Sequence, residues 1–170
     1  MSAPLAMRPY LPADCAACAV IFRAGIEALA SEDYDEDQRS AWMGAADDEA
    51  AFASRLGGAL TLVATISGAP AGFASLKGRD LIDMLYVDPQ YARRGVGTAL
   101  IDALTRLAGG RGAAQLTADV SDTARGLFER QGFVAQRRNI VEIDGQWLAN
   151  TTMTKALASE ASLRPAPTKH

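Results

Sequence analysis

Two stretches of the chain hold residues whose types and spacing could do chemistry. In "QYARRGVGTAL", Gln90 to Leu100, Arg93 and Arg94 run into Gly95 and Gly97, and an apolar helical pattern begins at once. The first N–H groups of a helix lack internal partners and the helix dipole adds positive charge there, so such a turn suits an anion. Glycines let a phosphate reach the backbone with no Cβ in the way, while Arg93 and Arg94 add mobile charge and Thr98 a hydroxyl. The plain alternative is a tight strand-to-helix turn with solvated arginines. In "LIDMLYV", alternation sets Ile82, Met84 and Tyr86 against Asp83, Leu85 and Val87, which leaves Asp83 a lone carboxylate on an apolar strand. Such a group could serve as a general base. Its plain alternative is a strand-end residue facing water beside Arg79.

Composition removes several chemistries. With 17 Lys and Arg against 20 Asp and Glu, the net charge is −3, which argues against a general nucleic-acid surface and makes any anion recognition local. His170 is the sole histidine, so Ser-His-Asp, Cys-His and H-E-x-x-H sites are out of reach. Cys15 and Cys18 form a C-x-x-C with no second Cys or His pair to complete a zinc site; no metal is expected, and both read as small side chains in or near the core. No apolar run reaches membrane-span length and no signal peptide is evident, so the expectation is a cytoplasmic protein with no membrane partner.

The elements that must position these residues follow in order. "LAMRPYLP" reads as a strand, and Pro12 and Asp14 open a helix to about Ala30. "SEDYDEDQRSAWMGAADDEAAFASRL" is one acidic helical segment. "LTLVATI", "AGFASL" and "LIDMLYV" read as three antiparallel strands, the first two joined by a turn in "SGAP". In the following helix Leu100, Ile101, Leu104, Leu107 and Ala108 recur at helical spacing, with glycines from Gly109 ending it. "AAQLTADV", "DTARGLFERQ" and "FVAQRRNIVEI" read as strand, helix and strand, and Asp144-Gly145 turns into "QWLANTTMTK". The sum is a single α+β domain over residues 1–157 around one mixed sheet, with a disordered tail at 158–170.

Two phosphate-binding folds fit poorly. A P-loop needs a Gly-Lys pair, which the turn lacks. A dinucleotide fingerprint wants a third small residue where Leu100 stands, although Asp119 lies at about the right distance to meet a ribose, and three antiparallel strands precede the turn. The stretch "IDMLYVDPQYARRGVGTALIDAL" instead resembles the coenzyme A turn of the GNAT (GCN5-related N-acetyltransferase) superfamily, with its Q/R-x-x-G-x-G/A pattern. "SDTARGLFERQGF" is similar to that family's N-x-x-A-x-x-x-Y-x-x-x-G-F motif, and the order of elements agrees along almost the entire chain.

The resemblance implies a mostly antiparallel sheet splayed between its fourth and fifth strands, with acetyl-CoA wedged in the gap. By it, Arg93, Arg94, Gly95, Val96, Gly97 and Thr98 would cradle the pyrophosphate, and Leu85, Tyr86 and Val87 would offer main-chain groups to the pantetheine arm. Ser121 and Phe128 would sit near the thiol. Asp83, directly or through water, would be the base for a primary amine of a small molecule or peptide. The chain departs from the pattern at Ala92, in the Q/R position, at Ser121, where Asn is common, and at Phe128, where the Tyr that protonates the thiolate usually stands. Phe128 reads first as core packing with Leu127 and Phe133; water, Tyr86, Tyr91 or Ser121 could replace the missing acid. Tyr34, Trp42 and Trp147 are substrate candidates, with Asn150 and the acids Glu32, Asp33 and Asp35 near them. A non-catalytic acyl-CoA-binding module of the same fold is the rival reading. Small bacterial members often form homodimers, so the resemblance makes a homodimer possible here while the sequence leaves the oligomeric state open.

Overall fold

The computed structural model describes residues 4–157; the expected disordered tail and His170 lie outside them. Seven strands form one sheet in the order β1-β2-β3-β4-β5-β7-β6. Strand β1 (Leu5–Pro9) leads through helices α1 (Cys15–Leu29), α2 (Glu36–Met43) and α3 (Glu49–Gly57) to the meander β2 (Leu60–Ile66), β3 (Ala69–Lys77) and β4 (Leu81–Val87). Helix α4 (Val96–Gly110), β5 (Gln115–Ser121), α5 (Arg125–Arg130) and the hairpin β6 (Val134–Ile143) and β7 (Gln146–Ala156) complete it.

All neighbouring pairs are antiparallel except β4 with β5. That parallel pairing holds only Leu81 to Thr117 and Ile82 to Ala118, after which the two strands part. The predicted splay is there. The sheet is otherwise well tied: β5 pairs with β7 along its whole length, from Gln115↔Ala156 to Ser121↔Asn150.

The expected acidic helix is two helices. Asp35 caps α2 by accepting from the Gln38 N–H at 2.8 Å while Gln38 bonds back to the Asp35 N–H, and Asp48 caps α3 through the Ala51 N–H at 3.0 Å. Each cap satisfies backbone donors a helix start leaves open. Helix α4 passes through Gly109 and Gly110 and turns only at Gly112, whose φ of 83° supplies the left-handed step that ends it. Of its expected apolar face, Leu107 is 37% exposed while Leu100, Ile101, Leu104 and Ala108 are buried. The first hairpin turns on Ser67 and Gly68, both at positive φ, so Ala69 and Pro70 of "SGAP" already belong to β3.

The expected alternation along β4 is broken. Ser75 of β3 faces Met84, but the next residue, Leu76, faces Ile82. Asp83 is thus the extra residue of a β-bulge, and a bulge shifts side-chain parity by one. Ile82 joins the core under α4, whereas Met84 and Tyr86 join the core under α1 and α3. Both cysteines pack with the second core, Cys18 fully buried.

Burial pushes the Cys18 thiol up to about 12 from an ordinary 9.0. The unfolded chain ionises first, so stability is level below about pH 9 and falls as the pH rises towards 12. Burial likewise lifts Tyr10 and Tyr86 from 10.0 to about 12, adding to the loss from pH 10 upward. Replacing Cys18 by Ala is expected to delay the onset of alkaline destabilisation from about pH 9 to about pH 10, as read from denaturation midpoints across pH.

Candidate active site

The turn before α4 is built to leave donors open. Arg93 adopts a left-handed φ of 62° and Gly95 one of 81°; for arginine this costs on the order of 1 kcal/mol or more, a strain the fold tolerates here. The first α4 bond runs from the Ala99 N–H to the Gly95 carbonyl at 3.0 Å, so the N–H groups of Val96, Gly97 and Thr98 have no intrahelical acceptor. At Gly97 a Cβ would fall 2.8 Å from Leu127 Cδ2, which explains the small residue where α4 meets α5. The Arg94 guanidinium lies 5.6 Å from the centre of the Tyr91 ring, a cation–π contact that holds it at the turn.

Where β4 and β5 part, a slot of about 220 Å³ opens, walled by Leu85, Tyr86 and Val87 on one side and Val120, Ser121 and Phe128 on the other. Beyond Ile82 the β5-facing main-chain groups of β4 have no strand partner among the described residues. Gly25 of α1 approaches closely; a Cβ there would stand 3.1 Å from the Val87 carbonyl oxygen. Phe128 lines this slot but is 3% exposed and packs edge-on to Phe133, ring centres 4.9 Å apart, so the core reading of that residue holds. The Ser121 hydroxyl accepts from the Ala124 N–H at 3.2 Å, leaving its own proton to donate.

A second cavity of about 250 Å³ adjoins the slot, between α2, α3 and the β6–β7 hairpin. The two share Trp42, Ile82, Asp83, Tyr86, Asp119 and Ser121. The bulge matters here, because it turns Asp83 to the same side as Tyr86. Both oxygens of Asp83 accept from Arg55, Nε at 2.8 Å and Nη2 at 3.2 Å. That pair replaces the expected neighbour Arg79, and it lifts the Arg55 guanidinium further above its usual range through the Asp83 hydrogen bond. Trp42 Nε1–H donates to the Tyr86 hydroxyl at 3.1 Å. Burial pushes that phenol up to about 12, against the Trp42 bond and the Arg55 charge, which both pull it down.

Sequence candidates divide accordingly. Tyr34 lines the second cavity with its ring, but its hydroxyl donates to the Ala149 carbonyl at 2.6 Å and accepts from the Asp122 N–H at 2.9 Å. It staples the start of α2 to β7. Trp42 reaches both cavities. The Trp147 side chain is 60% exposed and away from the cavity; only its carbonyl is used, by Gln38 Nε2. Leu148 and Asn150 turn inward instead, because the neighbours of a strand residue point to the opposite face. Asp33 accepts from the Thr123 hydroxyl and Asp35 is a helix cap. Tyr91 stays at the turn under Arg94. Arg55 was not singled out in the sequence, and Asp119 only as a ribose mimic; neither lies in a motif, and their partners are 28 and 33 residues away.

A family model described as an acetyltransferase (GNAT) domain matches residues 30–157. The chain belongs to the GNAT acetyltransferase family. It is 38% identical over 147 residues to the uncharacterized N-acetyltransferase YafP of Escherichia coli (strain K12), covering 86% of this chain and 93% of that one. It also resembles the crystal structure of a GCN5-related N-acetyltransferase from Rhodopseudomonas palustris, 60% identical with a TM-score of 0.90 over 92% of this chain and 98% of that one. The PaiA N-acetyltransferase of Thermoplasma acidophilum, solved in complex with coenzyme A, shares the fold at 16% identity, with a TM-score of 0.74 over 90% of this chain and 99% of that one. The splayed seven-stranded sheet is thus the GNAT fold. No described helix is long and apolar enough to cross a membrane.

Because Phe128 fills both the core and the slot wall, Phe128→Ala is expected to destabilise the domain by about 3–5 kcal/mol, measured by urea denaturation.

Proposed function

We propose that this GNAT member transfers an acetyl group from acetyl-CoA to a primary amine of a small molecule or peptide by direct attack. The observation that carries the reading is the meeting of the two cavities at Trp42, Asp83, Tyr86, Asp119 and Ser121, where a donor and an acceptor would touch. Coenzyme A suits the slot: unpaired N–H groups at Val96, Gly97 and Thr98 with Arg93 and Arg94 suit a pyrophosphate, and the unpartnered edge of β4 at Leu85, Tyr86 and Val87 suits an amide-bearing arm. Acetyl-CoA, when bound, supplies the activated acetyl thioester.

Asp83, Asp119 and Arg55 carry formal charges that sum to −1 at the shared wall, so the acceptor cavity attracts an ammonium. Trp42 and Tyr34 stack edge-on, ring centres 5.4 Å apart, and with Val141, Ile143 and Leu148 they give that ammonium's body an apolar bed. Tyr86 keeps its proton at neutral pH and, already accepting from Trp42, can donate a hydrogen bond to charge developing on carbonyl oxygen or sulfur. Ser121 has a proton to give at the same place. A main-chain N–H near Leu85 or Tyr86 is a further donor to the carbonyl oxygen.

The test is thiol release from acetyl-CoA across a panel of polyamines, amino acids, amine drugs and peptide N-termini. At least one primary amine should be turned over. Tight acetyl-CoA binding with no turnover of any member would identify a non-catalytic acyl-CoA-binding module instead. Replacing Arg93 and Arg94 together by Ala should weaken acetyl-CoA binding about 10- to 100-fold, since hydrogen bonds to charged groups contribute about 1.5–3 kcal/mol; unchanged affinity in calorimetry would contradict the assignment of the turn.

A further inference from the structure

Resting on the acetyl-transfer reading above, we infer that Asp119 is the group that takes the acceptor amine's proton, and that Asp83 is a fixed charge held by Arg55. The last paired residues of β4 and β5 are Ile82 and Ala118, so Asp83 and Asp119 stand opposite each other one step further on, where the strands part. Ala118 and Val120 point into the core under α4, which turns Asp119 to the other face, the one shared with Asp83 and Tyr86. Like charges directly opposite on neighbouring strands oppose pairing, and the structure relieves only one of them. Asp83 is bound in bidentate fashion by Arg55. Asp119 is exposed, and its Oδ1 accepts from the Thr152 hydroxyl at 2.6 Å. Its Oδ2 has no hydrogen-bond partner among the described residues.

That difference separates the two roles. A carboxylate with both oxygens engaged by one guanidinium is positioned to attract a cation, and a proton placed on it would break the bidentate pair. A carboxylate anchored through one oxygen has the other to receive a proton and, being exposed, can pass it to water. The anchor is itself ordered: Asn139 Nδ2 donates to the Thr152 hydroxyl at 2.8 Å and to Asn150 Oδ1 at 2.9 Å, and Arg137 Nε donates to Asn139 Oδ1 at 2.9 Å. This chain of bonds across β6, β7 and β5 fixes the rotamer of Asp119 at the junction of both cavities.

The ammonium gives one proton to Asp119 Oδ2, and the freed lone pair forms the C–N bond to the acetyl carbon. The C–S electron pair leaves on sulfur, and the nitrogen sheds a second proton. Of the two protons, one ends on sulfur and one in solvent. The groups facing Asp119 are Asp83 and Tyr86 from β4 and Arg55 from α3, with Tyr34 across the cavity. Arg55 stays cationic and Tyr86 and Tyr34 stay neutral around pH 7, since their values are all raised.

The experiment compares Asp119→Asn with Asp83→Asn, using acetyl-CoA and whichever panel amine the unmodified protein acetylates fastest. Asn at 119 still accepts from Thr152, so fold and acetyl-CoA affinity should be kept. At pH 7 kcat/KM should fall about 10²- to 10⁴-fold. The deficit should shrink as the pH approaches about 10, where a lysine-like amine is neutral unaided. Asp83→Asn should raise KM for the amine while leaving kcat within a few-fold of the parent at every pH. The assignment is overturned if Asp119→Asn stays within a few-fold of the parent, if its deficit is independent of pH, or if Asp83→Asn shows the pH-dependent loss of kcat instead. A parent protein that acetylates no amine would sink the acetyl-transfer reading, and the role of Asp119 with it.

Discussion

Everything at this site depends on β4 and β5 being joined at their beginnings and separated at their ends. Two parallel pairings hold them, and the rest of the sheet is arranged so that no more are needed. Strand β7 takes up the far edge of β5 along its whole length, while β3 takes up the far edge of β4. The gap therefore costs the sheet little rigidity, yet it leaves main-chain groups of β4 without partners. An extended, amide-bearing molecule laid along β4 would therefore find donors and acceptors that no neighbouring strand uses. The floor is laid by α1, which comes close because Gly25 has no side chain to hold it off the Val87 carbonyl.

The bulge at Asp83 is the second constraint, and it lies on the same strand, one residue past the last β4–β5 pairing. In a regular strand Asp83 and Tyr86 would face opposite sides of the sheet. One extra residue shifts the parity between Ile82 and Met84, so the carboxylate, the phenol and Arg55 come to one cavity. The same shift leaves Ile82 under α4, where it fills the core beside Ala118 at the seam. Bulges next to functional sites commonly re-aim a side chain in this way. Here the result is a pair of opposed carboxylates, of which a single arginine on α3 relieves one.

Those relations also explain which parts were legible in the sequence. The Arg-Arg-Gly-Val-Gly turn and the order of elements were readable because they depend on residues near one another in the chain. The Asp144-Gly145 hairpin was readable too, both residues having the positive φ its turn needs. The end of α4 was misplaced because three glycines and an arginine offer several stops, and only the conformation at Gly112 selects one. The acidic segment read as a single helix because caps at Asp35 and Asp48 look like ordinary acids on a solvated face. The bulge was invisible, since "LIDMLYV" alternates well on paper and the extra residue exists only relative to β3. Arg55 and Asp119 acquire meaning solely from partners in distant strands, and Trp147 lost its proposed place to Leu148 by the parity of one residue.

Tyr86 illustrates how magnitudes constrain the chemistry that replaces the usual tyrosine at Phe128. A thiol has an ordinary value of about 8.5, whereas burial holds the Tyr86 phenol at about 12. Tyr86 therefore holds its proton more tightly than a thiolate would, and the role its geometry supports is donation of a hydrogen bond: the phenol stays neutral, Trp42 fixes its orientation through the oxygen, and its proton is left for negative charge that develops nearby. A thiolate of that basicity departs without prior protonation and takes its proton from water afterwards. On this reading Phe128 at the opposite wall is no defect, because the amine must lose a proton before it attacks whereas the thiolate can leave without first gaining one.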